Sequence, residues 1–117
     1  MYKTVILTKE GNIATITMNR PEALNTLNSD LSNELADSLA MCADDTEVKA
    51  VILTGNGRVF CAGGDINAMK GATSRPHLFR QLTLYVHGAI AMIWRMPKPV
   101  IAAVHGAATG AGFPLAL

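Results

Sequence analysis

Phe60-Cys61-Ala62-Gly63-Gly64-Asp65 and, further along, His105-Gly106-Ala107-Ala108-Thr109-Gly110-Ala111-Gly112 decide how this chain is read. Each stretch follows a short β-branched apolar run and leads toward a segment of helical character. Small residues crowd both turns, so their main-chain amides are bare. Bare N–H groups at a strand-to-helix turn hold a negatively charged oxygen well. Two such turns aimed at one oxygen would form an oxyanion hole from main chain alone.

Working outward, Val48 to Thr54 precedes the first turn, and its Ala50-Val51-Ile52-Leu53 run predicts a strand buried on both faces. Gly55-Asn56-Gly57 reads as a turn, and Val59-Phe60-Cys61 as a further short strand. Asp65 to Lys70 suits one or two helical turns, followed by a loop over Gly71 to Arg75. Leu78, Leu82, Val86, Ile90 and Ile93 recur at helical spacing and predict a long helix from Pro76 to about Arg95. Pro97-Lys98-Pro99 breaks it, and Val100 to Val104 predicts another buried strand before the second glycine turn. At the other end, Thr4–Thr8 and Ile13–Met18 flank Glu10-Gly11-Asn12 as a hairpin. Pro21 ends its second strand. Asn28-Ser29-Asp30 offers an N-cap, and Leu31, Leu35 and Leu39 carry a helix to about Cys42. Strands alternating with helices predict a layered α/β fold with crossover connections.

The chain has 117 residues, half of them hydrophobic, with 10 basic and 9 acidic side chains. A net charge of +1 leaves no electrostatic footprint for nucleic acid. The apolar runs are broken well short of a membrane span, so no membrane partner is expected. Cys42 and Cys61 sit in apolar contexts without metal-ligand spacing, so the expectation is two buried reduced thiols, no metal site and a cytoplasmic location. Gly112-Phe113-Pro114-Leu115-Ala116-Leu117 stops inside an apolar run, which reads as a piece of a longer chain.

Four segments, in order, carry a specific resemblance: Asn19-Arg20-Pro21-Glu22-Ala23-Leu24-Asn25, Ala50-Val51-Ile52-Leu53-Thr54-Gly55, Phe60-Cys61-Ala62-Gly63-Gly64-Asp65, and Lys98-Pro99-Val100-Ile101-Ala102-Ala103-Val104-His105-Gly106 with its glycine turn. Together they resemble the N-terminal half of the crotonase superfamily, the enoyl-CoA hydratase/isomerase family. The resemblance implies an α/β fold, a crotonase-like spiral of ββα units that is incomplete at the C-terminus, with residues 1–117 forming the N-terminal portion of one such domain. It implies acyl-coenzyme A thioester substrates, with coenzyme A entering as part of the substrate rather than as a cofactor. It also implies a homotrimer or hexamer. The motif match carries over Ala62 and Ala111 as the two oxyanion donors, and it places Ala23, Leu24, Gly63, Gly64, Asp65, Ile66 and Met69 along the substrate.

Two fixed N–H donors would stabilise an enolate-like anion more than the neutral thioester carbonyl. Hydratases of this family carry a glutamate just after the second glycine turn, where this chain has Pro114. That departure favours isomerase or divergent chemistry over two-glutamate hydration. The alternative is a non-catalytic chain serving coenzyme A binding or oligomerisation. Asp65 reads as a helix cap rather than a catalyst. Arg20, Lys70 and Arg75 could meet coenzyme A phosphates, though surface cations are more often simply solvated, and His77, beside the 71–75 loop, could enter the acyl pocket. His87 and His105 pair with no carboxylate in the pattern, and Met41, Met92 and Met96 read as core filler.

Overall fold

The computed structural model describes residues 2–63, 75–106 and 108, with only the backbone for 75–79, 81–83 and 85. Strands β1 (Val5–Glu10) and β2 (Ile13–Met18) form the hairpin. Gly11 turns it at φ +60°, a left-handed conformation that a two-residue hairpin loop needs and glycine reaches without strain. Pro21 begins a 3-10 turn over Pro21–Ala23 in place of more strand. Helix α1 (Ser29–Asp44), strand β3 (Ala50–Gly55), helix α2 (Arg75–Arg95) and strand β4 (Val100–Ala102) follow.

The sheet runs β1-β2-β3-β4. The hairpin pair is antiparallel, and β2, β3 and β4 are parallel through the crossovers containing α1 and α2. Register places Ala14 beside Val51, Ile16 beside Leu53 and Met18 beside Gly55. Alternation puts all six on one face, where all six are buried. Leu31, Leu35 and Leu39 of α1 are 0%, 1% and 0% exposed against that face. Each contributes about 1.5–3 kcal/mol of burial. Helix α2 packs along α1, with Ala89 fully buried and Val86, Ile90 and Ile93 half-buried against the core.

Both helix ends of α1 are satisfied. The Asn28 side chain accepts the Leu31 N–H at 2.9 Å. At the other end Lys98 Nζ donates to the carbonyls of Cys42 and Asp45, both at 2.6 Å. A cation there also complements the negative end of the helix dipole. The Pro97-Lys98-Pro99 break therefore also staples α1.

Several expectations need correction. Val59-Phe60-Cys61 is no strand: Cys61 makes a single isolated bridge to Ala108, because the segment bends to dock on the 20–27 loop. The strand read over Val100 to Val104 stops at Ala102, and Ile101 is 58% exposed. Strand β3 is buried on one face and half-buried on the other. The outward faces of these parallel strands have no layer over them among the described residues. Met41 is exposed rather than core filler, with its sulfur 3.0 Å from the Tyr2 hydroxyl. The helix read over Asp65 to Lys70 and the loop over residues 71–74 lie outside the described residues.

Candidate active site

Because β2, β3 and β4 are parallel, their C-terminal ends lie at one edge of the sheet. The loops that leave them are residues 19–27, 56–63 and 103–108, and in an open α/β sheet this edge is where ligands bind. The three loops are bonded to one another. The Ala62 N–H donates to the Leu24 carbonyl at 3.1 Å, and the Leu27 N–H donates to the Gly63 carbonyl at 2.7 Å. Asn56 Nδ2 donates to Asn19 Oδ1 at 3.0 Å. Thr54 Oγ1 donates to the Ala103 carbonyl, and His105 Nε2 lies 2.8 Å from the Gly57 carbonyl.

Glycine is required where this packing is tightest. Gly106 has φ +65°, and a Cβ there would strike the Arg58 carbonyl. A Cβ on Gly55 would sit 2.5 Å from the Phe60 carbonyl oxygen and 2.8 Å from Asn25 Nδ2. Gly63 is buried at φ +100°. The main chain at this edge is thus bare, closely packed and held in fixed directions.

Ala23, Leu24, Ala62 and Gly63, expected to share a site, do come together. Ala23 and Leu24 are half-buried beside the Ala62 turn. The Ala62 amide itself requires a correction. As placed, it is spent on the Leu24 carbonyl and does not point a donor at a substrate oxygen. The Gly63 N–H lies on the side of the Cys61 thiol and opposes, without cancelling, the rise that burial imposes on its pKa. Gly64, Asp65, Ile66, Met69, Lys70, Ala111 and Pro114 lie outside the described residues, and so do the side chains of Arg75 and His77.

Arg20 braces its own loop, its guanidinium donating to the Thr26 carbonyl at 2.5 Å and reaching Thr26 Oγ1 at 3.3 Å. His105 ties two loops and faces solvent, and His87 is exposed on α2. Both cysteines are buried and free, and burial raises the pKa of each thiol. Among the described residues no group of three His, Cys, Asp or Glu side chains is placed to hold a metal ion. No described helix is long and apolar enough to cross a membrane.

One residue at this edge carries more than its sequence position suggests. Asn25 is fully buried and joins the 20–27 loop to the segment leading into Ala62. The available signal was an amide side chain between Leu24 and Leu27, in a residue type that tolerates left-handed backbone.

Comparison with known proteins agrees with this geometry. The model of the enoyl-CoA hydratase/isomerase family matches residues 8–117, and the chain belongs to that family. It is 36% identical over 119 residues to a 1,2-epoxyphenylacetyl-CoA isomerase of Escherichia coli, covering 100% of this chain and 45% of that protein. It is 43% identical over 114 residues to a short-chain-enoyl-CoA hydratase of Clostridium acetobutylicum, covering 97% of this chain and 43% of that one. Among solved structures, an enoyl-CoA hydratase/isomerase from Xanthobacter autotrophicus superposes with a TM-score of 0.90 at 32% identity, over 100% of this chain and 44% of that one. The crotonase-type fold is thus shared with these enzymes, and the chain spans less than half the length of each.

Proposed function

We propose that the whole protein is an acyl-coenzyme A enzyme that stabilises an enolate-like anion with main-chain N–H donors. One donor comes from the glycine turn after β3 and the other from Ala111. Within the first turn the Ala62 amide is engaged by the Leu24 carbonyl, so the donor falls to the glycine pair that follows it. The observation that carries the reading is the rigid junction of three bare loops at the C-terminal edge of the parallel strands, in a chain whose relatives are named for acyl-coenzyme A chemistry.

Ala23 and Leu24 would line the coenzyme A groove, with Gly63, Asp65, Ile66 and Met69 along the acyl chain. Coenzyme A arrives with the substrate, and no separate cofactor is needed. Removing a proton beside a thioester carbonyl moves negative charge onto its oxygen, and fixed donors strengthen as that charge grows. Pro114 offers no acid or base where a hydratase has its glutamate, so the protein shifts a double bond rather than adding water. Relatives are named both for an isomerase of an epoxyphenylacetyl thioester and for enoyl-CoA hydratases, so the preference rests on Pro114 and not on their names. The two buried free thiols suit a reducing cytoplasm. The assembly is a homotrimer or hexamer.

A second reading rests on Pro114 alone: a chain that binds coenzyme A thioesters or serves assembly without turnover. Full-length protein offered 3-enoyl and 2-enoyl thioesters separates the two. The expected result is interconversion of the double-bond isomers, with hydration slower. Thioester binding with neither isomerisation nor hydration would establish the second reading.

A further inference from the structure

We infer that Asn25 is the positioning residue that fixes the direction of the first donor turn; this rests on the function proposed above. Its side chain is fully buried and its polar atoms are all used. Oδ1 accepts the Arg20 N–H at 2.8 Å. Nδ2 faces the carbonyls of Asn56, Val59 and Phe60 at 2.9, 3.1 and 3.2 Å. An amide nitrogen has two protons, so three carbonyls share them. All three belong to the segment that runs directly into Cys61-Ala62-Gly63. The main chain of Asn25 holds the same junction, its N–H donating to the Arg20 carbonyl at 2.9 Å and its carbonyl accepting from Cys61 Sγ at 3.2 Å.

Leu24 and Asn25 are both left-handed, at φ 55° and 54°. Their carbonyls in consequence reach the Ala62 amide and the Cys61 thiol. Asparagine is among the few residues other than glycine that adopt this conformation readily. A main-chain donor points wherever its peptide plane points. A turn built from alanine and glycine has no side chains to steer those planes, so they must be set from outside. Asn25 is the buried group that touches both the approach to the turn and the turn itself. It acts through the backbone and touches no reacting atom.

The test uses the full-length protein with Asn25→Asp and Asn25→Gly. Asn25→Asp keeps the size, the left-handed tolerance and the acceptor for Arg20, but it loses the two-proton donor. Asn25→Gly keeps the backbone conformation and removes every side-chain bond. Three quantities are read: the melting temperature, kcat and KM separately, and the near-ultraviolet absorbance of a bound 3-ketoacyl thioester. That thioester ionises to an absorbing enolate when donors face its oxygen, releasing its C2 proton to solvent.

The expected result is kcat reduced about 100-fold with KM changed less than about threefold, as for a reacting geometry displaced by about an ångström. The enolate absorbance is lost in parallel. A folded variant with wild-type kcat and wild-type enolate absorbance overturns the inference. So does a loss in both variants that simply follows collapse of the melting temperature, because that is a structural role alone. Wild-type protein that gives neither turnover nor enolate overturns the proposed function itself and takes this inference with it.

Discussion

Cys61 shows how a single residue reports on the junction it occupies. It is fully buried, its thiol donates to the Asn25 carbonyl, and burial raises its pKa above the ordinary thiol value, with the Gly63 N–H opposing. A raised native value means that the folded state holds the proton more tightly than the unfolded chain does. Below the ordinary value of about 8.5 both states are protonated and the stabilisation is whole. As pH climbs from there toward the raised value, only the unfolded chain ionises, so stability falls. Cys42 shifts the same way, chiefly through burial. Tyr2, raised to about 12 by burial and then by Asp37, responds only above this range. The urea midpoint of wild-type protein is therefore expected to drop between neutral pH and about pH 10, and Cys61→Ala to drop less. Equal drops would show that the thiol is not buried as described. The cysteine's apolar setting was legible in the sequence. Asn25 was not, because nothing in a loop of mixed residues says which amide will be buried and asked to satisfy three carbonyls.

At the scale of elements, the best-read segment was α1, because three signals agree there. Leu31, Leu35 and Leu39 share one face, Asn28 caps the start, and the exposed positions are polar apart from Met41. Replacing Asn28 by alanine removes the acceptor for the Leu31 N–H and is expected to cost about 1 kcal/mol. Asn28→Asp or Asn28→Ser should recover most of it, with thermal melts as the measurement. A loss unchanged by any capping residue would place the cost in packing instead. The hairpin and α2 were equally legible, since periodicities of two and 3.6 survive in short windows. The segment 59–61 was misread for a physical reason. Val59-Phe60-Cys61 has strand composition, but its carbonyls go to the Asn25 side chain rather than to a neighbouring strand. Strand β4 was overextended because an apolar run marks what will be covered, not how far the ladder of hydrogen bonds reaches. The first glycine turn was legible as bare backbone as far as Gly63. The engagement of the Ala62 amide by Leu24 was not, because peptide-plane direction is a tertiary property.

For the molecule as a whole, the question is what covers its outer surface. Strand β4 is the last strand of the sheet order, so one side of its backbone has no strand partner among the described residues. Ile101 and Val104, on and beside it, are 58% and 45% exposed, and Leu84 and Trp94 of α2 are 70% and 72% exposed. An edge strand with large apolar side chains pairs readily with other chains. The relatives matched are more than twice as long, and this chain covers only 43–45% of them. Expressed alone, the 117-residue chain is expected to self-associate, with scattering that grows with concentration. A polypeptide of the relatives' length is expected to remain dispersed at its assembled size. Trp94 supplies a local readout, being the one tryptophan in the sequence. In the short chain its fluorescence should be quenched by a small polar quencher, because the ring faces water. In the longer protein, the difference between wild type and Trp94→Phe should show protection. Equal quenching in both would mean that the helix face is solvent-exposed in the native assembly. The covering layer would then have to lie over β4 alone.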